Sequence, residues 1–183
     1  DEFQMERAAR LYARYDQSKD AYLADIVVNN LDVHQLLPQD SIFDVTMQLH
    51  ADGEGLDLFA PTTRFQVNGK VDQLYYTTYR LVGYDLLANL ENHQLDASLK
   101  AHNSAMEFDA RLDAKLKPSD VAAHLTVQVP KIDWQTMKLM QVPFRTEHQF
   151  DVSFVSDLQK KYVVDASMTG TTVQTPKKTF NTK

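Results

Sequence analysis

The chain contains no cysteine, only 5 glycines and 6 prolines in 183 residues, and no long apolar run. Without thiols there is no disulfide staple, no thiolate nucleophile and no zinc–thiolate site. A cysteine-free chain also suits an oxidising envelope compartment. No apolar stretch approaches the roughly 18 residues that a spanning helix needs. The opening has no basic, then apolar, then small-residue order, so no signal peptide is read there. It begins at Asp1 rather than Met, which is expected of a processed or shortened chain. Basic clusters are scarce as well. The formal charge is −6 and the isoelectric point is about 5.4, against the Lys/Arg-rich surface that nucleic acid requires. Lys160-Lys161 and Lys177-Lys178 read as solvated turn residues.

Catalytic patterns are also missing. The six histidines (His34, His50, His93, His102, His124 and His148) form no HxH or HExxH spacing. Ser, His and Asp are scattered without a nucleophile elbow, and no Gly-rich phosphate loop occurs. The carboxylates Glu107, Asp109 and Asp113 recur with a period of two beside Arg111 and Lys115. That is the pattern of a water-facing sheet with cross-strand ion pairs, not of two carboxylates converging in a cleft. The expectation is a non-enzymatic chain that needs no cofactor and no metal.

What is present is alternation. AMEFDARLDAKL (105–116) sets Met106, Phe108, Ala110, Leu112, Ala114 and Leu116 against Glu107, Asp109, Arg111, Asp113 and Lys115. A strand sends successive side chains to opposite faces, so this segment has one oily and one charged face. The same reading covers Tyr22–Val28, Phe43–Asp52, Phe65–Asp72, Leu95–His102, Val121–Val129, Phe150–Phe154 and Tyr162–Thr169. Turn chemistry separates the runs at 17–20, 52–55, 91–93, 102–104, 118–120 and 157–160. Asn68-Gly69 would ordinarily mark a hairpin, but the alternation passes through it in phase, which places it in a strand.

Two segments break the period. LDVHQLLP (31–38) and KIDWQTMKLM (131–140) carry apolar residues at helical spacing after Asp32 and Asp133, which suit exposed first-turn amides. Short helices are expected near 32–38 and 132–140. Their separation of about 100 residues, matched by TTRFQVNG (62–69) and VVDASMTG (163–170), suggests a weak internal repeat. Several strands of ten or more residues with few breaks favour an elongated, curved antiparallel sheet over a sandwich. The expected fold is therefore mainly β, an open trough or half-barrel forming a single β-rich segment over 1–183, with its oily face concave.

The candidates for that oily face are Phe43, Val45, Met47 and Leu49, then Phe65 and Val67, then Leu95 and Leu99. Met106, Phe108, Leu112 and Leu116 follow, with Leu125, Val127, Trp134, Phe150, Val152, Phe154, Val164 and Met168. Ala97, Ala101, Ala105, Ala110, Ala114 and Ala123 are small inward candidates, read either as leaving room beside Phe108, Leu112 and Leu125 or as marking the close approach of covering elements. Tyr75, Tyr76, Tyr79 and Tyr84 cluster at one expected turn, as cross-strand aromatics or as a partner surface.

The succession YRLVGYDLLANLENHQLDASLKAHNSAMEFDARLDAKL (79–116) and LTVQVPKIDWQTMKLM (125–140) resembles the repeat region of TamB-type proteins, the translocation and assembly module branch of the AsmA-like superfamily. In that likeness Ile132, Asp133, Trp134 and Leu139 stand where a short helical cap closes the unit, and TPKKTFNTK (175–183) looks like an envelope-protein junction. The resemblance implies an internal fragment of a longer repetitive protein of the Gram-negative periplasm, anchored in the inner membrane and serving outer-membrane biogenesis. Its implied partners are phospholipid acyl chains, adjacent repeats and an outer-membrane barrel protein. Three uses of the oily face stay open: a hydrophobic groove for lipid transport, a filled scaffold aiding outer-membrane protein assembly, or a lipocalin-like small-lipid binder.

Overall fold

Alternating runs become paired strands almost throughout. The computed structural model describes residues 9–36, 42–76 and 79–181. The strands are β1 (Ala9–Asp16), β2 (Ala21–Leu31), β3 (Ile42–Glu54), β4 (Arg64–Tyr76), β5 (Tyr79–Leu81) and β6 (Tyr84–Glu91). They continue with β7 (Gln94–His102), β8 (Met106–Leu116), β9 (Val121–Asp133), β10 (Arg145–Ser156), β11 (Tyr162–Gln174) and β12 (Thr179–Asn181). All belong to one antiparallel sheet in the order β1-β2-β3-β4-β6-β7-β8-β9-β10-β11-β12, with β5 attached to the far end of β4. The path is open: its first and last strands do not pair with each other. The mainly-β, open antiparallel sheet expected of the alternation is the fold that forms.

Among the described residues, no helix or strand packs across either face. Each strand makes its main contacts with its sheet neighbours, and the one helix, α1 (Val33–Leu36), rests against β3. The accessible surface is 12545 Å², whereas a compact monomer of this mass exposes roughly 9,000 Å². The excess is what a single layer costs in exposure.

The two ends of the strands differ. At the lower end, where β1, β3, β6, β8 and β10 finish, most connections are short. Asn92 and His93 have φ of 49° and 66°, the left-handed pair that a two-residue hairpin of right-handed twist requires. His93 is tied down by two bonds to Leu116, its Nδ1 lying 2.8 Å from the carbonyl oxygen and its own carbonyl accepting the Leu116 amide. After β10, one Asp157 carboxylate oxygen accepts the amides of Gln159, Lys160 and Lys161, each at 2.9 Å.

The upper end carries the irregularities. The β2 register slips between Val28 and Leu31, where Asn30 has φ 50° and its amide donates to Thr46 Oγ1. The β9 register slips against both β8 and β10 around Pro130, because proline lacks the N–H that a central ladder uses and is accommodated as a bulge. The β11 register slips at Gly170, φ 62°. Gly69 lies inside β4 between Leu49 and Leu86, as the unbroken alternation predicts.

The expected helix at 32–38 is a single turn over Val33–Leu36, with Asp32 accepting the His34 amide; 37–38 lie outside the described residues. The expected helix at 132–140 does not form. Ile132 and Asp133 end β9, and a succession of turns follows. Asp133 does cap one helical turn, accepting the Thr136 amide at 2.9 Å, and the Met137 amide donates to the Asp133 carbonyl. Lys138 then enters the left-handed region at φ 62°, and both the Leu139 and Met140 amides turn back to the Trp134 carbonyl, ending the helix after that turn.

Candidate functional site

Cross-strand pairing assembles the local alternations into rungs that cross the whole sheet. One runs Leu11, Ile26, Leu49, Gly69, Leu86, Leu99, Ala110, Val127, Phe150, Met168. The rung below runs Ala13, Ala24, Ala51, Val67, Ala88, Ala97, Leu112, Leu125, Val152, Ala166. A third runs Tyr15, Tyr22, Gly53, Phe65, Leu90, Leu95, Ala114, Ala123, Phe154, Val164. All three share one face, which is apolar from β1 to β11.

Eighteen of the sequence-derived candidates are strand residues on that face: Val45, Met47, Leu49, Phe65, Val67, Leu95, Leu99, Met106, Phe108, Leu112, Leu116, Leu125, Val127, Phe150, Val152, Phe154, Val164 and Met168. Phe43 pairs through its backbone with Tyr75, and its side chain lies outside the described residues. Trp134 is in the turns after β9. Its indole donates to Thr146 Oγ1 at 3.0 Å, and Thr146 pairs with Ile132 and Val173 on the apolar side, so the ring sits at the upper end of that face. Ala105 precedes β8 in a turn, where its carbonyl accepts the Asp133 amide.

The middle rung is unusual. From β1 to β7 it offers Ala13, Ala24, Ala51, Val67, Ala88 and Ala97, a low lane between taller rungs. Six strands give five spacings, about 24 Å across the sheet. At β8 the lane meets Leu112 and then Leu125 and Val152. The glycines in the flanking rungs are closed over. An added Cβ at Gly69 would lie 3.2 Å from Leu49 Cδ1, and one at Gly53 would lie 2.6 Å from Tyr22 Oη. Leu and Tyr side chains thus fill the two gaps in the lane's walls.

The face is shielded unevenly. Leu90 is 1% exposed between Phe65 and Leu95, while Leu86 and Leu99 are each 38% exposed two rungs away. Val28, Val45, Ala101, Ala114 and Val129 are buried on the same side. Burial of Tyr84, beside Phe108 with ring centroids 6.0 Å apart, pushes its phenol pKa up.

The opposite face is charged and satisfies itself. His50 is held between Asp25 at 2.6 Å and Asp52 at 3.1 Å. The hydrogen bond that the His50 ring donates to Asp25 leads in raising the His50 pKa. His124 is within 3.3 Å of Ser153, Thr126 and Asp151. Arg111 forks onto Asp109, Lys131 meets Glu107 at 2.9 Å, and Arg64 meets Glu54 at 2.9 Å. These exposed pairs add little stability individually. Asp96 and Asp113 stand directly opposite each other; the hydrogen bond that protonated Asp96 donates to Asp113 leads in raising the Asp96 pKa. At the upper end Asp133 is the exception, being buried. Burial opposes its ionisation, but the Thr136 amide and the Arg145 guanidinium at 2.9 Å outweigh that and hold its pKa down.

Shallow hollows of about 510, 470 and 440 Å³ lie between the long polar side chains of this charged face, lined by Gln66, Asn89, Asp96 and Arg111 in the first and by Asp25, His50 and Lys70 in the third. The sequence placed the hollow on the oily side. On the apolar side the relief is the alanine lane.

Sequence reasoning missed β1 and most of β6. Leu11, Ala13 and Tyr15 were obscured by Tyr12 on the other face, and Leu86, Ala88 and Leu90 by Leu87. Alternation scored with tyrosine and leucine tolerated on a water-facing position recovers both. The chain matches no protein-family model, no curated protein and no solved structure, so its functional reading rests on this geometry and on the degenerate strand pattern.

Proposed function

We propose that this chain is a non-catalytic segment of a periplasmic, sheet-forming protein of outer-membrane biogenesis, and that its apolar face guides phospholipid acyl chains. The observation that carries the reading is an apolar face continuous over ten long strands and covered by no second layer among the described residues. Each CH₂ removed from water contributes roughly 0.8 kcal/mol, so an acyl chain laid along the face is stabilised by its whole length. The alanine lane runs across the strands, along the direction in which the sheet extends, and offers a floor on which a chain lies between leucine and tyrosine walls. A headgroup at the sheet margin stays in water. The resemblance to TamB-type repeats supports the same use and the same compartment. The open path from β1 to β12 disfavours a lipocalin-like closed barrel.

Lipid extraction of the purified folded protein, with native mass spectrometry beside it, tests the reading. Co-purifying phospholipid at close to stoichiometric amounts is expected. Folded protein that carries no lipid and takes up none from detergent-free vesicles would contradict it.

A further inference from the structure

The two margins of the sheet fit one another, and we propose that β11 of one copy pairs with β1 of a second copy, joining sheets edge to edge. The inference does not depend on what the apolar face holds. Ten long strands alternate in direction along the path, so β1 and β11 run oppositely. A second β1 laid beside β11 therefore continues the antiparallel order with its apolar residues on the same side.

Among the described residues, the outer sides of β1 and of β11 below β12 are unpaired over matching lengths. β11 has 13 residues, of which 3 pair with β12, leaving 10 unpaired on that side; β1 has 8. Neither edge carries the proline or lysine that commonly blunts one. Ala9–Asp16 and Tyr162–Thr171 contain no proline and no lysine, and the Gly170 bulge lies only where β12 takes over. The apolar residues of both edges are the most open on their face, Leu11 at 70% and Met168 at 59%, because each lacks a neighbour on one side.

Charge selects the register. Followed from strand to strand, the rung that begins at Arg14 passes through Asp52, Asn89 and Asp113 and ends at Asp165. Extending that rung into the next copy sets Asp165 opposite Arg14, Ala166 opposite Ala13 and Met168 opposite Leu11. A slip of two residues, the smallest that keeps the faces, sets Asp165 against Tyr12 or against Asp16. Pairing β1 with another β1 sets Arg10 opposite Arg14, which is repulsive, in one register, and Arg10 opposite Asp16 in the register two residues over. The β11-to-β1 pairing is the one that carries every rung on into the next copy.

The absence of cysteine makes the test direct. Two single-cysteine chains, Ala13→Cys and Ala166→Cys, are mixed and mildly oxidised, with Tyr12→Cys and Ser167→Cys as a second pair, since adjacent rungs differ in side-chain approach. A disulfide-linked dimer that forms in a mixture several-fold faster than in either chain alone is expected. Sedimentation velocity on the unaltered chain should show concentration-dependent association. Arg14→Asp or Asp165→Arg should weaken that association several-fold, and a chain carrying both should recover it. Three results would overturn the proposal: an unaltered chain that stays monomeric at all concentrations, Ala166→Cys alone linking as fast as the mixture, or a chain with both cysteines closing on itself in preference to linking with another.

Discussion

On β8 the two faces of the sheet alternate residue by residue. Asp109 and Arg111 hold each other at 3.1 Å on one side, while Phe108, Ala110 and Leu112 stand on the other with only sheet neighbours beside them. The charged face completes itself: its histidines, carboxylates and basic groups find partners within the layer or in water. The apolar face cannot do so in one layer. Where neighbours enclose a side chain, as at Leu90, it is satisfied; at Leu86, two rungs away, it remains open. A sheet with one self-sufficient face and one incomplete face points to a ligand or a surface on the incomplete side.

The largest expected effect separates the faces by ligand. Leu112→Asp places a charge in the path of the alanine lane and should cut retained lipid about ten-fold or more, since an unpaired carboxylate disfavours an apolar neighbour. Leu112 is half-buried, so its replacement still reaches water and the sheet should remain folded, as circular dichroism would show. Ser98→Asp, on the charged side of the adjacent strand, should leave lipid content unchanged. Equal losses in both variants would end the distinction between faces.

Within the apolar face, Leu90→Ala should destabilise by about 3 kcal/mol and Leu86→Ala by less than about 1 kcal/mol, measured by urea unfolding. Similar values would mean that Leu86 is covered in solution.

On the charged face the expected changes are smaller. The raised His50 pKa means that the folded state favours its protonated form. The stabilisation from its aspartates is fully present below the unfolded value near 6.5. It disappears as pH rises through the raised folded value. Asp25→Asn should bring the His50 titration, followed by NMR, down toward the ordinary value. The smallest effect is at Asp96, whose raised pKa marks like charges facing each other. Asp96→Asn should stabilise the protein by a few tenths of a kcal/mol at neutral pH. That gain should vanish as acid protonates Asp96.

Strand existence was legible because the alternation is long and the turns between runs are polar. Pro130 did not end β9, since a bulge absorbs it. The helical spacing of 131–140 was a sound signal for one turn, but the left-handed backbone at Lys138 and the Trp134–Thr146 bond favour a compact loop over further helix. The alanine lane was beyond local pattern: Ala13, Ala24, Ala51, Ala88 and Ala97 align only once the register of six strands is set. Alternation also says that one face avoids water without saying what covers it. That answer lies in the number of layers, which depends on contacts far apart in the chain.

Photo-crosslinking residues placed at neighbouring positions on opposite faces test the central claim most directly. With phospholipid supplied, a crosslinker at Ala97 or Leu112 should capture lipid, and one at Ser98 or Arg111 should not. Capture from both faces alike, or from neither while phospholipid is bound, would contradict an acyl-chain path along the apolar side.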